Sequence, residues 1–186
     1  GGLDRDAIAE YFAFGYIPAP KTAFRNVSKL NPGEICLISE EDIERETFYT
    51  PSITPIDSGF DTASTLLKNK VEDTVRKRLQ ADVPLGAFLS GGIDSSIITS
   101  ILASETDDQL KTFSVGFSES KFDETWAARK VAEHHNTEHH EYFVSPTDVR
   151  DVIDEVISNL GEPFADSSIL PTYIVARETS EELTVA

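Results

Sequence analysis

The chain has 186 residues, with 16 Lys plus Arg against 33 Asp plus Glu and a formal charge of -17. That excess of acid speaks against duplex nucleic acid and anionic membrane as partners, and no apolar run approaches the length of a membrane span. A single cysteine, Cys36, excludes an internal disulfide framework and suits a reducing compartment, so a cytoplasmic location is expected.

The length gives room for one good-sized core, or for one domain and part of another. Asp4 reads as the N-cap of a short helix that carries Ile8, Ala9, Tyr11 and Phe12, runs to Phe14 and is ended by Gly15. Pro18, Pro20, Asn31, Pro32 and Gly33 make a turn-rich connector. Segments 34–39 and 43–49 are expected to pair as a hairpin across Glu40, Glu41 and Asp42. Pro51, Pro55 and Gly59 mark a second connector, and a domain boundary placed there separates 1–56 from 57–186. Over 61–80 the residues Ala63, Leu66, Leu67, Val71, Val75 and Leu79 follow the helical period. Arg76, Lys77 and Arg78 gather at the end of that helix, where cations complement the dipole; contact with a nucleotide is the alternative.

An apolar run over 83–89 then leads into Ser90-Gly91-Gly92-Ile93-Asp94-Ser95-Ser96, and residues 97–103 return to helical spacing. The pattern predicts a buried strand, a tight glycine turn and a helix entered through its N-terminus. Glycine lets the main chain approach a ligand closely, and the first amides of a helix have no partner inside it. With the positive end of the dipole they make an anion site suited to phosphate. The hydroxyls of Ser90, Ser95 and Ser96 add donors, and Asp94 can hold a Mg²⁺ that bridges phosphate oxygens. The alternative is a turn whose Asp and Ser merely cap the helix. The segment is neither a Walker A loop, which needs Gly-Lys-Ser/Thr, nor a G-x-G-x-x-G fingerprint.

Beyond the loop, 111–117 reads as a strand, 123–135 as a helix and 138–144 as a strand. Pro146 to Leu160 carries one continuous stripe of Val149, Val152, Ile153, Val156, Ile157 and Leu160, stopped by Gly161. Residues 167–177 are expected to be helical around Pro171, and 183–186 to form a fourth strand. Alternating strands and helices predict an α/β fold with a parallel sheet and helices on both faces, ligand sitting outside the carboxyl ends of the strands. His134, His135, His139 and His140 straddle a helix end and a strand start. Adjacent strand residues point to opposite faces, so one tetrahedral zinc site from all four is not expected.

The Ser90–Ser96 segment resembles the S-G-G-x-D-S signature of the PP-loop ATP pyrophosphatases, in which the loop grips the β- and γ-phosphates while the α-phosphate is attacked. Several flanking segments narrow the resemblance: Arg129-Lys130-Val131-Ala132-Glu133-His134-His135, Thr137 to Glu141, Gly161-Glu162-Pro163-Phe164-Ala165-Asp166, Tyr16 to Pro20, and Lys29 to Gly33. Together they resemble glutamine-hydrolysing asparagine synthetase over nearly the whole length. That resemblance implies a ligase that uses ATP and Mg²⁺ to convert aspartate to β-aspartyl-AMP, releasing pyrophosphate, after which ammonia displaces AMP to give asparagine. By motif, Ser90, Gly91, Gly92 and Ser95 cradle the pyrophosphate, with Ser96 beside them in the nucleotide site, and Asp94 holds the metal. Leu89 and Val115, at two strand ends, would flank the adenosine. Asp166 lies where the family builds its amino-acid pocket, with a helix N-cap as the rival role.

The absence of methionine, and a last segment that reads as a strand before its turn, lead to the expectation of an excerpt. Residues 1–56 resemble the tail and linker of an otherwise missing N-terminal glutaminase domain, and 57–186 the first part of the synthetase domain. The family's second acidic glycine loop is expected directly after Ala186, so the fragment by itself is expected not to complete the synthesis. Aspartate, ATP and ammonia are the expected substrates, with no nucleic acid or membrane partner. A homodimer stays open, since an edge at Leu183–Ala186 could pair with a second copy. Two alternatives remain at this stage: a related PP-loop amidotransferase with another carboxylate acceptor, β-lactam synthetase-like or sugar-modifying, and a non-catalytic nucleotide-binding module.

Overall fold

A computed structural model describes residues 2–80, 83–117 and 125–186. The chain divides into two compact units, Gly1–Ile56 with Ile157–Ser167, and Asp57–Val156 with Ser168–Ala186.

In the first unit, helix α1 (Arg5–Phe14) starts at Asp4, whose carboxylate accepts from the amides of Asp6 and Ala7 at 3.0 and 3.1 Å. It stops at Gly15, whose left-handed φ of 78° lets its amide reach back to the Tyr11 carbonyl. Ala7, Ile17 and Ala23 form a small core beneath Ile8 and Tyr11. Strands β1 (Glu34–Ile38) and β2 (Ile43–Thr47) pair antiparallel, Glu34 opposite Thr47 and Ile38 opposite Ile43, as their turn residues predict. Gly33 closes the open end of this hairpin; a Cβ there would sit 2.0 Å from the Tyr49 carbonyl oxygen. Lys29 pairs with Glu162, and the Ala165 amide donates to the Gly15 carbonyl at 2.8 Å.

The second unit is an α/β layer. Strands β3 (Gly86–Phe88), β4 (Lys111–Phe117) and β5 (Glu138–Val144) form a parallel sheet in the order β3-β4-β5, Phe88 lying opposite Phe113 and Lys111 opposite Glu138. Helices α2 (Phe60–Arg78), α3 (Ile93–Glu105) and α4 (Thr125–His135) follow the pattern expected of them, with α3 packed on both α2 and α4. Residues 123–124, expected to begin the α4 helix, lie outside the described residues. The period of two along β4 distributes its side chains between two faces. Ser114 and Gly116 face α4, while Phe113 and Val115 face α6 (Ile169–Ser180), where Phe113, Val175 and Leu183 form the buried cluster. The sheet thus carries helices on both faces, as the alternation of elements predicts.

Helix α5 (Pro146–Leu160) buries Val152 and Val156 from its apolar stripe. It is opened by a reciprocal cap in which the Ser145 amide and hydroxyl donate to Asp148 Oδ2 at 2.8 and 2.6 Å. The Asp148 amide returns a bond to Ser145 Oγ at 3.3 Å, and Pro146 takes the first helical position. Those bonds hold the Asp148 carboxyl below the usual carboxylate range. In α6, Pro171 falls in the first turn, where its missing N–H costs no helical bond.

The hairpin strands end one and two residues earlier than expected, and two other expected strands come out much shorter. Instead of 83–89, β3 spans three residues. Segment 183–186 contributes a single parallel bridge, Leu85 to Val185, with the Gly86 amide donating to the Val185 carbonyl at 3.0 Å. Among the described residues no helix is long and apolar enough to cross a membrane.

Phe113, 1% exposed, is the largest of the fully buried side chains and joins β4 to α6. Phe113→Ala is expected to destabilise the chain by about 3–5 kcal/mol in urea denaturation, through lost transfer energy and the cavity left behind.

Candidate functional site

The glycine loop leaves β3 at its carboxyl end. Leu89, 1% exposed, is the last anchored residue: its side chain packs on Ala128 and Ala132 of α4, and its amide donates to the Phe113 carbonyl at 2.8 Å. Its carbonyl accepts from the Ser114 hydroxyl. Ser90 then opens the turn, accepting from the Gly92 amide at 3.3 Å and lying 3.0 Å from the Ser95 hydroxyl.

The two glycines do different work. Gly91 has φ +78°, and a Cβ there would meet the Ala128 amide nitrogen at 2.4 Å and the Ala127 carbonyl carbon at 2.7 Å. The close approach that demands glycine at position 91 is therefore to the backbone of α4. Gly92 is exposed and has only Ser90 Oγ, at 3.3 Å, within reach of an added Cβ. Gly92 is also the N-cap of α3, and no side chain caps that helix. The amides of Ile93, Asp94 and Ser95 therefore precede the first helical bond, which runs from the Ser96 amide to the Gly92 carbonyl at 3.0 Å.

The serine hydroxyls of the helix turn inward: Ser95 and Ser96 both donate to the Gly92 carbonyl, at 3.2 and 2.6 Å. The carboxylate of Asp94 stands exposed in this first turn. The alternative in which Asp94 and the serines cap the helix is not what the geometry displays, since no side chain caps its first-turn amides. Ser90, Gly91, Gly92, Asp94, Ser95 and Ser96 are thus brought together around one helix N-terminus.

Leu89 and Val115 sit near the ends of adjacent strands, but their side chains turn to opposite faces, Leu89 toward α4 and Val115 toward the Phe113–Val175 cluster. What those strand ends share is main chain. Asp166 is exposed in the connection between α5 and α6 and belongs to the first unit, whereas the glycine loop belongs to the second. The N-cap position of α6 falls to Ser168 rather than Asp166. Of the basic residues ending α2, Arg76 pairs with Glu105 of α3 at 2.8 Å and Lys77 with Asp73 at 2.7 Å. Arg78 and Lys70 line a cavity of about 760 Å³ beside β3, with Phe88, Val75 and Ile98; of the loop motif, only Ser95 reaches it.

A second polar group, not singled out from the sequence, lies beneath the loop on the α4 face. His139 Nδ1 is 2.9 Å from Thr112 Oγ1, and His139 Nε2 is 3.3 Å from Ser114 Oγ and 3.5 Å from Glu141. Glu141 is gripped by both Arg129 Nε and a terminal guanidinium nitrogen, at 3.0 and 2.7 Å. Burial pushes the His139 imidazole below its usual range, against the pull of the Glu141 carboxylate. Its neighbour His140 faces the other way, stacked 5.1 Å from Phe113. There Glu138, His140 and Glu182 present metal-ligand atoms within 4.8 Å of one another. However, the two carboxylates meet opposite nitrogens of the ring, and Lys111 Nζ stands 3.0 Å from Glu182 and 3.5 Å from Glu138. The ammonium supplies the cation, so this is an ion network tying β4 and β5 to the end of α6.

Residues 66–186 match the family model described as asparagine synthase. Over 99% of its length the chain is 33% identical to asparagine synthetase (glutamine-hydrolyzing) 1 of Bacillus subtilis, covering 29% of that protein. Over 98% it is 35% identical to a putative asparagine synthetase (glutamine-hydrolyzing) 2 of Methanocaldococcus jannaschii, covering 36%, and 33% identical to a putative asparagine synthetase (glutamine-hydrolyzing) of Mycobacterium tuberculosis, covering 29%. The chain spans about a third of the length of these relatives.

Gly91→Ala is expected to destabilise the chain by at least about 2 kcal/mol, combining positive φ with a clash against rigid backbone. Gly92→Ala should stay within about 1 kcal/mol in the same denaturation assay, with only a serine hydroxyl to move. His139 adds a pH dependence. With its folded pKa lowered from 6.5, the stability it contributes is complete above that pH and is lost as pH falls below it. Thermal scans from about pH 7.5 to 5.5 should register this as a falling Tm, with a flatter profile in His139→Gln.

Proposed function

The chain belongs to the asparagine synthase family, and from that premise we propose that its second unit holds the ATP-activating loop of an enzyme that adenylates aspartate and amidates it to asparagine. The observation that carries the reading is the uncapped N-terminus of α3 at the carboxyl end of β3, with three first-turn amides free for an anion beside the Asp94 carboxylate. An anion site of this kind suits the β- and γ-phosphates of ATP.

In this reading the amides of Ile93, Asp94 and Ser95 hold phosphate oxygens. The hydroxyls of Ser90, Ser95 and Ser96 rotate from their intraloop bonds to add donors. The donor set fits a hard divalent cation: Asp94 is an exposed carboxylate next to phosphate-binding amides, the arrangement Mg²⁺ favours. When bound, Mg²⁺ neutralises charge on the departing pyrophosphate. Main chain at the ends of β3 and β4, next to Leu89 and Val115, borders the nucleoside, and Asp166 is assigned to the amino-acid pocket.

The chemistry assigned to the site follows from the acceptor. A carboxylate is a poor acyl donor, and adenylation gives the aspartate side chain a leaving group that ammonia displaces. The loop's amides are fixed before the reaction, so they stabilise the leaving phosphate charge without reorganisation. Ammonia is assigned to a glutaminase domain preceding residues 1–56, and the full synthesis to a protein of the relatives' length. For this chain alone the expected activity is binding of MgATP without asparagine formation.

ATP–pyrophosphate exchange on a protein of the relatives' length tests the reading. Aspartate-dependent exchange that falls at least about 100-fold in Asp94→Asn is the expected result. Exchange driven by a different acid would reassign the acceptor, and nucleotide binding without exchange would leave a binding module.

A further inference from the structure

The loop's geometry is tied to a chain of buried polar groups that no role has yet absorbed. Thr112 is fully buried, Ser114 is 3% exposed and the His139 side chain 9% exposed. In an otherwise apolar layer each must be hydrogen-bonded. One assignment of donors satisfies every side-chain bond in the chain. Ser114 donates its single hydroxyl proton to the Leu89 carbonyl, so toward His139 its oxygen is an acceptor and Nε2 must carry the proton. Nδ1 is then bare and accepts from the Thr112 hydroxyl at 2.9 Å, whose oxygen in turn accepts from Thr137 at 2.7 Å. The result is a relay, Thr137 to Thr112 to His139 to Ser114, ending on the carbonyl of the residue before Ser90. Burial favours the neutral imidazole that this arrangement requires.

We infer that Ser114 and His139 are positioning residues of the phosphate loop: through the hydrogen bond to the Leu89 carbonyl they set the plane of the peptide from which Ser90 and Gly91 turn, and with it the aim of the α3 amides. The inference rests on the phosphate reading of the loop. Glu141, clamped by Arg129, borders Nε2 and biases the ring toward the same orientation. Losing the Ser114 hydroxyl frees the Leu89 carbonyl to rotate, and losing the Nε2 donor leaves the Ser114 hydroxyl free to swing away. Neither residue touches the phosphates; both act through the main chain.

The test combines calorimetric titration of the full chain with Mg²⁺–pyrophosphate and nitrogen-15 NMR of His139 and of the amides from Ser90 to Asp94. Ser114→Ala and His139→Phe should weaken pyrophosphate binding about 10-fold, the scale of one lost hydrogen bond at a positioning group. Ser114→Thr keeps the hydroxyl, and His139→Gln keeps an amide donor where Nε2 stands; both should bind within about twofold of the wild type. Wild-type His139 should titrate as the Nε2–H tautomer. Equal affinity in all four variants, or an Nδ1–H tautomer, overturns the inference. Should Ser114→Ala not fold, the His139 pair carries the comparison. Failure of the wild type to bind pyrophosphate would instead sink the phosphate reading. In that case the loop amides decide the positioning role: resonances displaced in Ser114→Ala or His139→Phe and restored in the conservative variant support it, and unmoved resonances overturn it.

Discussion

Leu89 is held by β4 at both of its main-chain polar atoms, the amide on the Phe113 carbonyl and the carbonyl on the Ser114 hydroxyl. Everything downstream takes its direction from there. A parallel strand three residues long supplies few ladder bonds of its own. The point where the chain leaves the sheet is therefore defined by side-chain chemistry and packing as much as by the ladder. Leu89 adds the apolar part, buried against Ala128 and Ala132. One residue thus couples strand, helix and loop.

The turn itself is secured from the opposite side. Gly91 presses on the backbone of α4 at Ala127 and Ala128, and the serines fold their hydroxyls onto the Gly92 carbonyl. These contacts brace the turn from below, as the proposed preorganised anion site would require. An acidic chain that handles a polyanion must concentrate positive potential locally. In the proposed reading backbone dipoles take that role; of the α2 cations, Arg76 and Lys77 are engaged by Glu105 and Asp73, while Lys70 and Arg78 line the cavity that Ser95 reaches.

Much of this architecture is legible in the residues. The stripe on α5, the Asp4 and Gly15 pair bracketing α1, and the spacing around Ser90–Ser96 are local signals, and the elements lie where those signals put them. The fraction that is not legible depends on long-range partners. Residue Gly91 reads as a glycine kept free for a ligand, but the atoms that exclude a side chain there belong to Ala127 and Ala128, far along the chain. Segment 83–89 reads as a long strand because its apolar run begins before the point, Gly86 opposite Lys111, where β4 becomes available to pair. Thr112 and Ser114, small polar residues alternating with Phe113 and Val115, did carry a signal: on a strand covered on both faces, such alternation marks a polar seam. Its partner His139 stands out in the sequence only as one of four clustered histidines.

The contact between Gly91 and α4 bears on portability. A seven-residue signature reads as a cassette that could be grafted onto any strand-turn-helix, yet this one docks against a helix outside its own βα unit. A transplant that omitted small residues at positions equivalent to Ala127 and Ala128 would bring the letters without the curvature. The recognisable unit in the sequence is one loop; the transferable unit in three dimensions is the loop together with the surface on which it rests.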